Sequence, residues 1–88
     1  MPAYRLLYKR TAEKDIKKLS LQIQKRLKIK LDWFIAQENP LLFAESLTKS
    51  VDAQYRFRIG NYRVLFDVEG ENIVILHVQH RREVYRKA

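Results

Sequence analysis

The sequence predicts an α+β fold of order β-α-α-β-β-β, with two N-terminal helices packed on one face of a small, mostly antiparallel sheet. Three observations predict it. Apolar side chains recur every three or four residues between Ala12 and Ile35, then every second residue from Tyr55 onward, and Gly60-Asn61 interrupts the second run where a hairpin needs a turn. At 88 residues the chain reads as one domain, 1–88, with no linker, repeat or low-complexity stretch inside it.

Each element follows from a local signal. Tyr4, Leu6 and Tyr8 alternate with Arg5 and Lys9, the pattern of a short edge strand. Thr11 is a candidate cap for a first helix carrying the stripe Ala12, Ile16, Leu19. Ser20 is a candidate cap for a second helix, striped by Ile23, Leu27, Leu31, Phe34 and Ile35 and running to about Glu38. Asn39-Pro40 ends it, because a residue before proline disfavours the helical region. Residues 41–53 read as a short helical turn plus loop. Tyr55–Ile59 and Tyr62–Val68 then form a hairpin, with glycine at the first turn position, where a type II′ turn wants it. Gly70 marks a second turn into Asn72–Val78, a strand apolar at nearly every position and therefore central. A charged tail, 80–88, surrounds Val84 and Tyr85.

Composition narrows the function. Lys and Arg number 18 against 10 Asp and Glu, a formal charge of +8, and 47% of residues are apolar. That combination gives a folded basic domain, suited to a polyanionic partner, rather than a disordered tail. With no cysteine and two histidines, the chain offers no disulfide scaffold, thiol nucleophile or cysteine-based metal site. Neither a cofactor nor a metal is expected. No apolar run approaches the roughly 18 residues a membrane span needs, and Met1–Lys9 lacks the pattern of a signal peptide. A cytoplasmic protein is expected.

The charge is unevenly distributed. Residues 1–30 hold ten basic side chains against two acidic, residues 31–55 one against four, and residues 56–88 seven against four. Six of the last seven basic residues are arginine, the side chain suited to bidentate phosphate contacts. A two-residue turn at Gly60-Asn61 pairs Ile59 with Tyr62 and Arg58 with Arg63. Strict alternation then puts Tyr55, Phe57, Ile59, Tyr62, Val64, Phe66 and Val68 on the helix-covered face, and Arg56, Arg58 and Arg63 on the other. Like charges directly opposed cost a sheet about 0.2–1 kcal/mol, so a bound phosphate would give the pair a purpose. A solvated face whose arginines splay apart is the simpler alternative. Carried through the second hairpin on an even loop, the alternation places Ile73, Ile75 and His77 on the covered face, with His77 a core or edge histidine. Val74, Leu76, Val78 and His80 fall on the arginine face, followed by Arg81, Arg82 and Tyr85. Cations for phosphate, an aromatic ring for a base and an imidazole are what an RNA-cleaving or RNA-gripping site requires. Lys25, Arg26, Lys28 and Lys30 lie mostly off the apolar stripe of the long helix. They are candidate RNA contacts, or simply its solvated face. Trp33 and Phe34 read as core or interface.

The run from Tyr55 to Phe66 (YRFRIGNYRVLF), with His80–Tyr85 (HRREVY) following it, resembles the RelE/ParE superfamily of toxins from type II toxin–antitoxin systems. The order of elements matches along the whole chain. The resemblance implies a RelE-like fold, an acidic RelB-like antitoxin as partner, contact with operator DNA only through that antitoxin, and a prokaryotic cytoplasm. RelE-type members cut mRNA in the ribosomal A site without a metal; ParE-type members inhibit DNA gyrase. By resemblance, Arg56 and Arg58 stand where the best-known RelE enzymes carry lysine, Arg63 and Arg81 match catalytic arginines, and Tyr85 matches a tyrosine that stacks on a codon base. Arginine gives up a proton poorly, so His80 is a candidate to replace the missing lysine in proton transfer. Gln79 stands where the family often has glycine.

Three functions are consistent with these residues: a ribosome-dependent mRNA endoribonuclease contacting rRNA and mRNA, a gyrase inhibitor, and a catalytically weak module that binds its antitoxin in operon autoregulation. The first is expected, with Arg56, Arg58, Arg63, His80, Arg81 and Tyr85 as the catalytic set and Arg82 with the helix lysines as RNA contacts. The antitoxin is expected to lay an acidic amphipathic segment over the basic sheet and over apolar residues such as Leu65, Val74 and Leu76.

Overall fold

The computed structural model describes residues 4–82. Strand β1 (Arg5–Tyr8) leads into helix α1 (Arg10–Lys17) and helix α2 (Leu21–Ile35); a 3-10 turn (Pro40–Phe43) and strand β2 (Glu45–Ser46) follow. Strands β3 (Tyr55–Ile59), β4 (Tyr62–Glu69) and β5 (Asn72–His80) complete a five-stranded sheet of order β1-β5-β4-β3-β2, antiparallel except where β1 runs parallel to β5. The α+β class is as expected, with β1 at an edge and β5 in the interior. The two-residue β2 is an addition, too short to show any periodicity.

Burial explains the arrangement. Ala12 of α1 and Leu27, Leu31 and Phe34 of α2 pack with Phe57, Ile59, Val64, Phe66, Ile73, Ile75 and Val78 of the sheet in one core. Stacked rings run through it: Phe34 on Phe57 at 4.2 Å, Phe57 on Phe66 at 4.4 Å, and Phe66 on Tyr55 at 5.4 Å. Ser20 caps α2, its hydroxyl accepting from Ile23 N at 3.2 Å, and α2 stops at Ile35, three residues before Glu38. Asn39 likewise accepts from Leu41 N at the head of the 3-10 turn.

Thr11 does something else. Helix α1 begins at Arg10 behind Lys9, without a side-chain cap, and the Thr11 hydroxyl donates instead to Leu76 O at 2.6 Å. Strand β1 pairs with β5 only as far as Ile75, so beyond that point the β5 edge would stand unpaired. Helix α1 lies against it: Thr11 takes the Leu76 carbonyl, and Asp15 Oδ2 accepts from Val78 N at 3.0 Å and sits 3.3 Å from His77 Nδ1. An Asp15→Ala substitution would leave the amide of buried Val78 without its acceptor, an expected loss of about 1–3 kcal/mol in urea unfolding. Asp15→Asn keeps an acceptor oxygen and should recover part of it.

The first hairpin has the expected register, Ile59 opposite Tyr62 and Arg58 opposite Arg63, with Gly60 at φ +58°. The second keeps it through its even-numbered loop as far as Ile75 and then departs. Phe66 pairs with Ile75 but Leu65 pairs with His77, so Leu76 is an extra residue, a β-bulge. A one-residue insertion reverses the facing of everything beyond it. Val78 therefore enters the core, and His80 comes opposite Tyr62 on the helix-covered side, not the arginine side. His77 leaves the covered face for the edge beside Asp15.

Candidate functional site

Of the expected site residues, Arg63, His80, Arg81 and Arg82 lie where the β3–β4 turn meets the end of β5, with His80 on the face opposite Arg63, while Arg56 and Arg58 are drawn to Glu45 of β2. Asn61 O accepts from Arg81 N at 2.7 Å, which ties the chain leaving β5 to the turn. His80 lies edge-on to Tyr62, ring centroids 5.2 Å apart, and its Nδ1 accepts from Arg82 N at 3.2 Å. That bond uses one ring nitrogen as acceptor and leaves Nε2 to carry the proton of the neutral ring. Proton abstraction by His80 therefore requires the Arg82 contact to open. Arg81 and Arg82 are both exposed. Tyr85 lies outside the described residues.

The opposed arginines are relieved in opposite directions. Arg63 is only 9% exposed, and its Nη1 donates to Gly60 O and Tyr62 O, both at 3.1 Å, so this guanidinium braces its own turn. Arg58 instead turns its Nε to Glu45 Oε1 on β2. The other oxygen of the same carboxylate, Oε2, is 2.9 Å from Arg56 Nη2. Arg56 Nε is buried without a hydrogen-bond partner. The fold thus has its own reason to tolerate Arg58 across from Arg63, and no phosphate is needed to explain the pair.

Glu45 is the member of this group that sequence reasoning missed. Its only sequence signal was an acidic residue in the acidic middle third of the chain. Hydrogen bonding to Arg56, reinforced by the charges of Arg56 and Arg58, outweighs burial and holds the Glu45 carboxyl below its ordinary value. A depressed carboxylate stabilises the fold above its unfolded pKa and loses that contribution as pH falls through the folded pKa. The Glu45 side chain is 41% exposed, so solvent screening limits the effect to under about 1 kcal/mol. Glu45→Gln should remove this acid-side step from a stability-against-pH curve, lowering neutral stability by under about 1 kcal/mol and leaving stability at low pH nearly unchanged.

The helix cations do not join this cluster. Lys25, Arg26, Lys28 and Lys30 are exposed on α2, which packs on the opposite side of the sheet from Arg58. Lys28 pairs with Asp32 at 3.0 Å and Lys30 Nζ lies 4.6 Å from the Trp33 ring centroid. Between α1 and α2 runs a groove of about 630 Å³, with Tyr8, Ile16, Leu21, Leu27 and Leu31 along it and Lys17, Lys25 and Lys28 among its charged lining. Burial, with Asp32 nearby, raises the Tyr8 phenol above its ordinary value. Leu65 and Val74 are buried, at 6% and 4% exposure, and Leu76 is half-buried, so the arginine face is not the apolar docking surface expected of it. Exposed apolar side chains instead include Leu21 and Ile29 on α2 and Leu42 and Phe43 on the 3-10 turn. Among the described residues no helix is long and apolar enough to cross a membrane.

Comparison with known proteins adds a family. The family described as "ParE toxin of type II toxin-antitoxin system, parDE" matches residues 6–85. Toxin RelE3 of Methanocaldococcus jannaschii is 31% identical over 83 residues, 92% of this chain and 94% of that protein. Toxin RelG of Mycobacterium tuberculosis is 28% identical over 86 residues, 96% of this chain and 98% of that protein. The crystal structure of a RelB-RelE antitoxin-toxin complex from Methanococcus jannaschii superposes with a TM-score of 0.70 at 28% identity, covering 92% of this chain and 96% of the matched one.

Proposed function

Because the chain belongs to the RelE/ParE superfamily of type II toxins, we propose that it is a ribosome-dependent mRNA endoribonuclease, active in a prokaryotic cytoplasm and held in check by an acidic RelB-like antitoxin. The observation that carries the reading is the cluster at one end of the sheet, where the Asn61–Arg81 bond brings Arg81, Arg82 and His80 beside the turn braced by Arg63. Attack of a 2′-OH on the adjacent phosphate builds negative charge on the phosphorane and on the departing 5′-oxygen. Fixed cations beside that phosphate favour the charged transition state over the ground state. Arg81 is the group to contact the phosphate, and Arg63 adds positive potential from a rigid, buried position. Arg58 is bound to Glu45 and does not release its proton, so it serves as a cation and not as the base. Tyr85 is the candidate base-stacking group.

Charge complementarity argues for the antitoxin's position. The groove between α1 and α2 has an apolar floor and three lysines against one acidic residue, Glu13, in its lining, which suits an acidic amphipathic helix. Operator DNA would then be reached only through the antitoxin. The test is purified protein added to ribosomes carrying a defined message. Cleavage inside the A-site codon is expected, together with little cleavage of the same RNA free in solution.

Two observations favour a second reading, gyrase inhibition: the matching family is named for ParE, and positions 56 and 58 carry arginines paired to Glu45 instead of lysines. A supercoiling assay with the same preparation separates the two. Inhibited gyrase and an intact message would establish the second reading.

A further inference from the structure

We infer that Arg56 and Arg58 form an anion cleft which Glu45 fills in the free protein, and that RNA phosphate binds there by displacing the Glu45 carboxylate. The inference rests on the RNA-directed reading above and adds to it a residue that sets affinity for the substrate backbone.

The geometry carries three parts of the argument. First, Glu45 presents one oxygen to each arginine, Oε1 to Arg58 and Oε2 to Arg56. Arginine recognises carboxylates and phosphates through the same pairs of donors, so a site that chelates one between two guanidinium groups can accept the other. Second, the present occupant leaves the site incompletely used. Arg56 Nε is buried with no acceptor, because the carboxylate engages only Nη2 of that side chain. A phosphodiester bears two non-bridging oxygens and two ester oxygens, and so has acceptors to spare for Nε. Third, the occupant can leave. Glu45 belongs to a strand of two residues at the sheet edge, paired to β3 only through Glu45 with Arg56 and Ser46 with Tyr55. The side chains of Glu45 and Arg58 are 41% and 58% exposed and that of Arg56 19%, so the fork opens to solvent on its Arg58 side.

Exchange of one anion for another has a thermodynamic signature. Binding releases cations condensed on the RNA. The freed Glu45 carboxylate, tethered beside the cleft, offsets part of the arginine charge, so a phosphate that replaces it releases fewer of those cations and contributes little to the salt dependence of binding. Without the carboxylate, the two cations meet the phosphate uncompensated. Glu45 thus weakens the grip of the free protein on any polyanion and reserves the cleft for RNA held in place by other contacts.

The test uses the full chain and a short 2′-O-methyl RNA, which lacks the attacking hydroxyl and cannot be cut. Binding is measured by fluorescence anisotropy across a potassium chloride titration for the unaltered protein, Glu45→Gln and Glu69→Gln. Glu69 is exposed at the far end of β4, so its variant makes the same change in net charge away from the cleft. Glu45→Gln should bind about three- to tenfold more tightly, with a log-log salt slope steeper by about 0.7 per phosphate gained, and Glu69→Gln should show neither change. Equal or weaker binding by Glu45→Gln at an unchanged slope would overturn the inference, as would the same gain in both variants. A second readout needs no variant. The Glu45 carboxyl, followed by carbon NMR, should titrate at higher pH in the RNA complex, having lost both arginines; an unmoved titration contradicts displacement. Neither measurement involves cleavage, so a protein that cuts no message can still pass both, and an active nuclease can still fail them.

Discussion

On the proposed reading, Arg81→Ala should lower ribosome-dependent cleavage by about 10²–10³-fold, the range seen when one preorganised transition-state donor is removed, and leave the melting temperature almost unchanged. The two halves of this expectation have separate sources. Arg81 is exposed and its side chain forms no ion pair with the described residues, whereas its backbone amide, which survives the substitution, makes the 2.7 Å bond to Asn61 O. The chain path beside the turn is therefore retained while the cation is lost. Arg63→Ala behaves differently. It too should lower cleavage, but it also removes the group that donates to Gly60 O and Tyr62 O, so the hairpin should lose about 1 kcal/mol or more. Comparing single-turnover cleavage with thermal melts for the two variants distinguishes a cation presented to the substrate from one that also holds the fold.

Phe57→Ala should cost about 3–5 kcal/mol, among the largest stability effects expected from one substitution at the described residues. Phe57 is fully buried and stacks between Phe34 of α2, at 4.2 Å and 8° between ring planes, and Phe66 of β4, at 4.4 Å and 25°. Removing its ring opens a cavity at the junction of helix and sheet and breaks two aromatic contacts together. Small domains unfold at about 5–15 kcal/mol in total, so much of the variant should be unfolded at physiological temperature. Val51, wholly exposed in the loop before β3, is the control, and Val51→Ala should stay within about 0.5 kcal/mol of the parent in urea unfolding.

What the sequence disclosed depended on the length over which a pattern runs. The β3–β4 hairpin was legible because seven apolar residues alternate on either side of a glycine that the turn requires at positive φ. That register alone brings Arg58 opposite Arg63. The bulge at Leu76 was not legible, since Val74, Leu76 and Val78 are apolar on either register and a one-residue shift leaves the pattern of the strand intact. The facings of His77 and His80 hang on that bulge, so both were reversed. Thr11 illustrates a tertiary override: its position suits a cap, but β5 outruns β1 and leaves a carbonyl at Leu76 that the hydroxyl satisfies. Glu45 was hidden for a simpler reason. Its strand has two residues, and its partners lie 11 and 13 positions away, as counted from Arg56 and Arg58. The splayed arginines, weighed as the plainer alternative to a bound phosphate, are what the free protein displays. The phosphate, on our inference, enters only by exchange.

The most direct measurement of the central claim is induction of the chain alone in bacterial cells, followed by primer extension on an abundant message, with Arg81→Ala induced in parallel. Growth arrest and new 5′ ends within translated codons are expected, absent from untranslated regions and from the Arg81→Ala culture. Arrest with an intact message, or cuts that persist at full strength in Arg81→Ala, would contradict the claim.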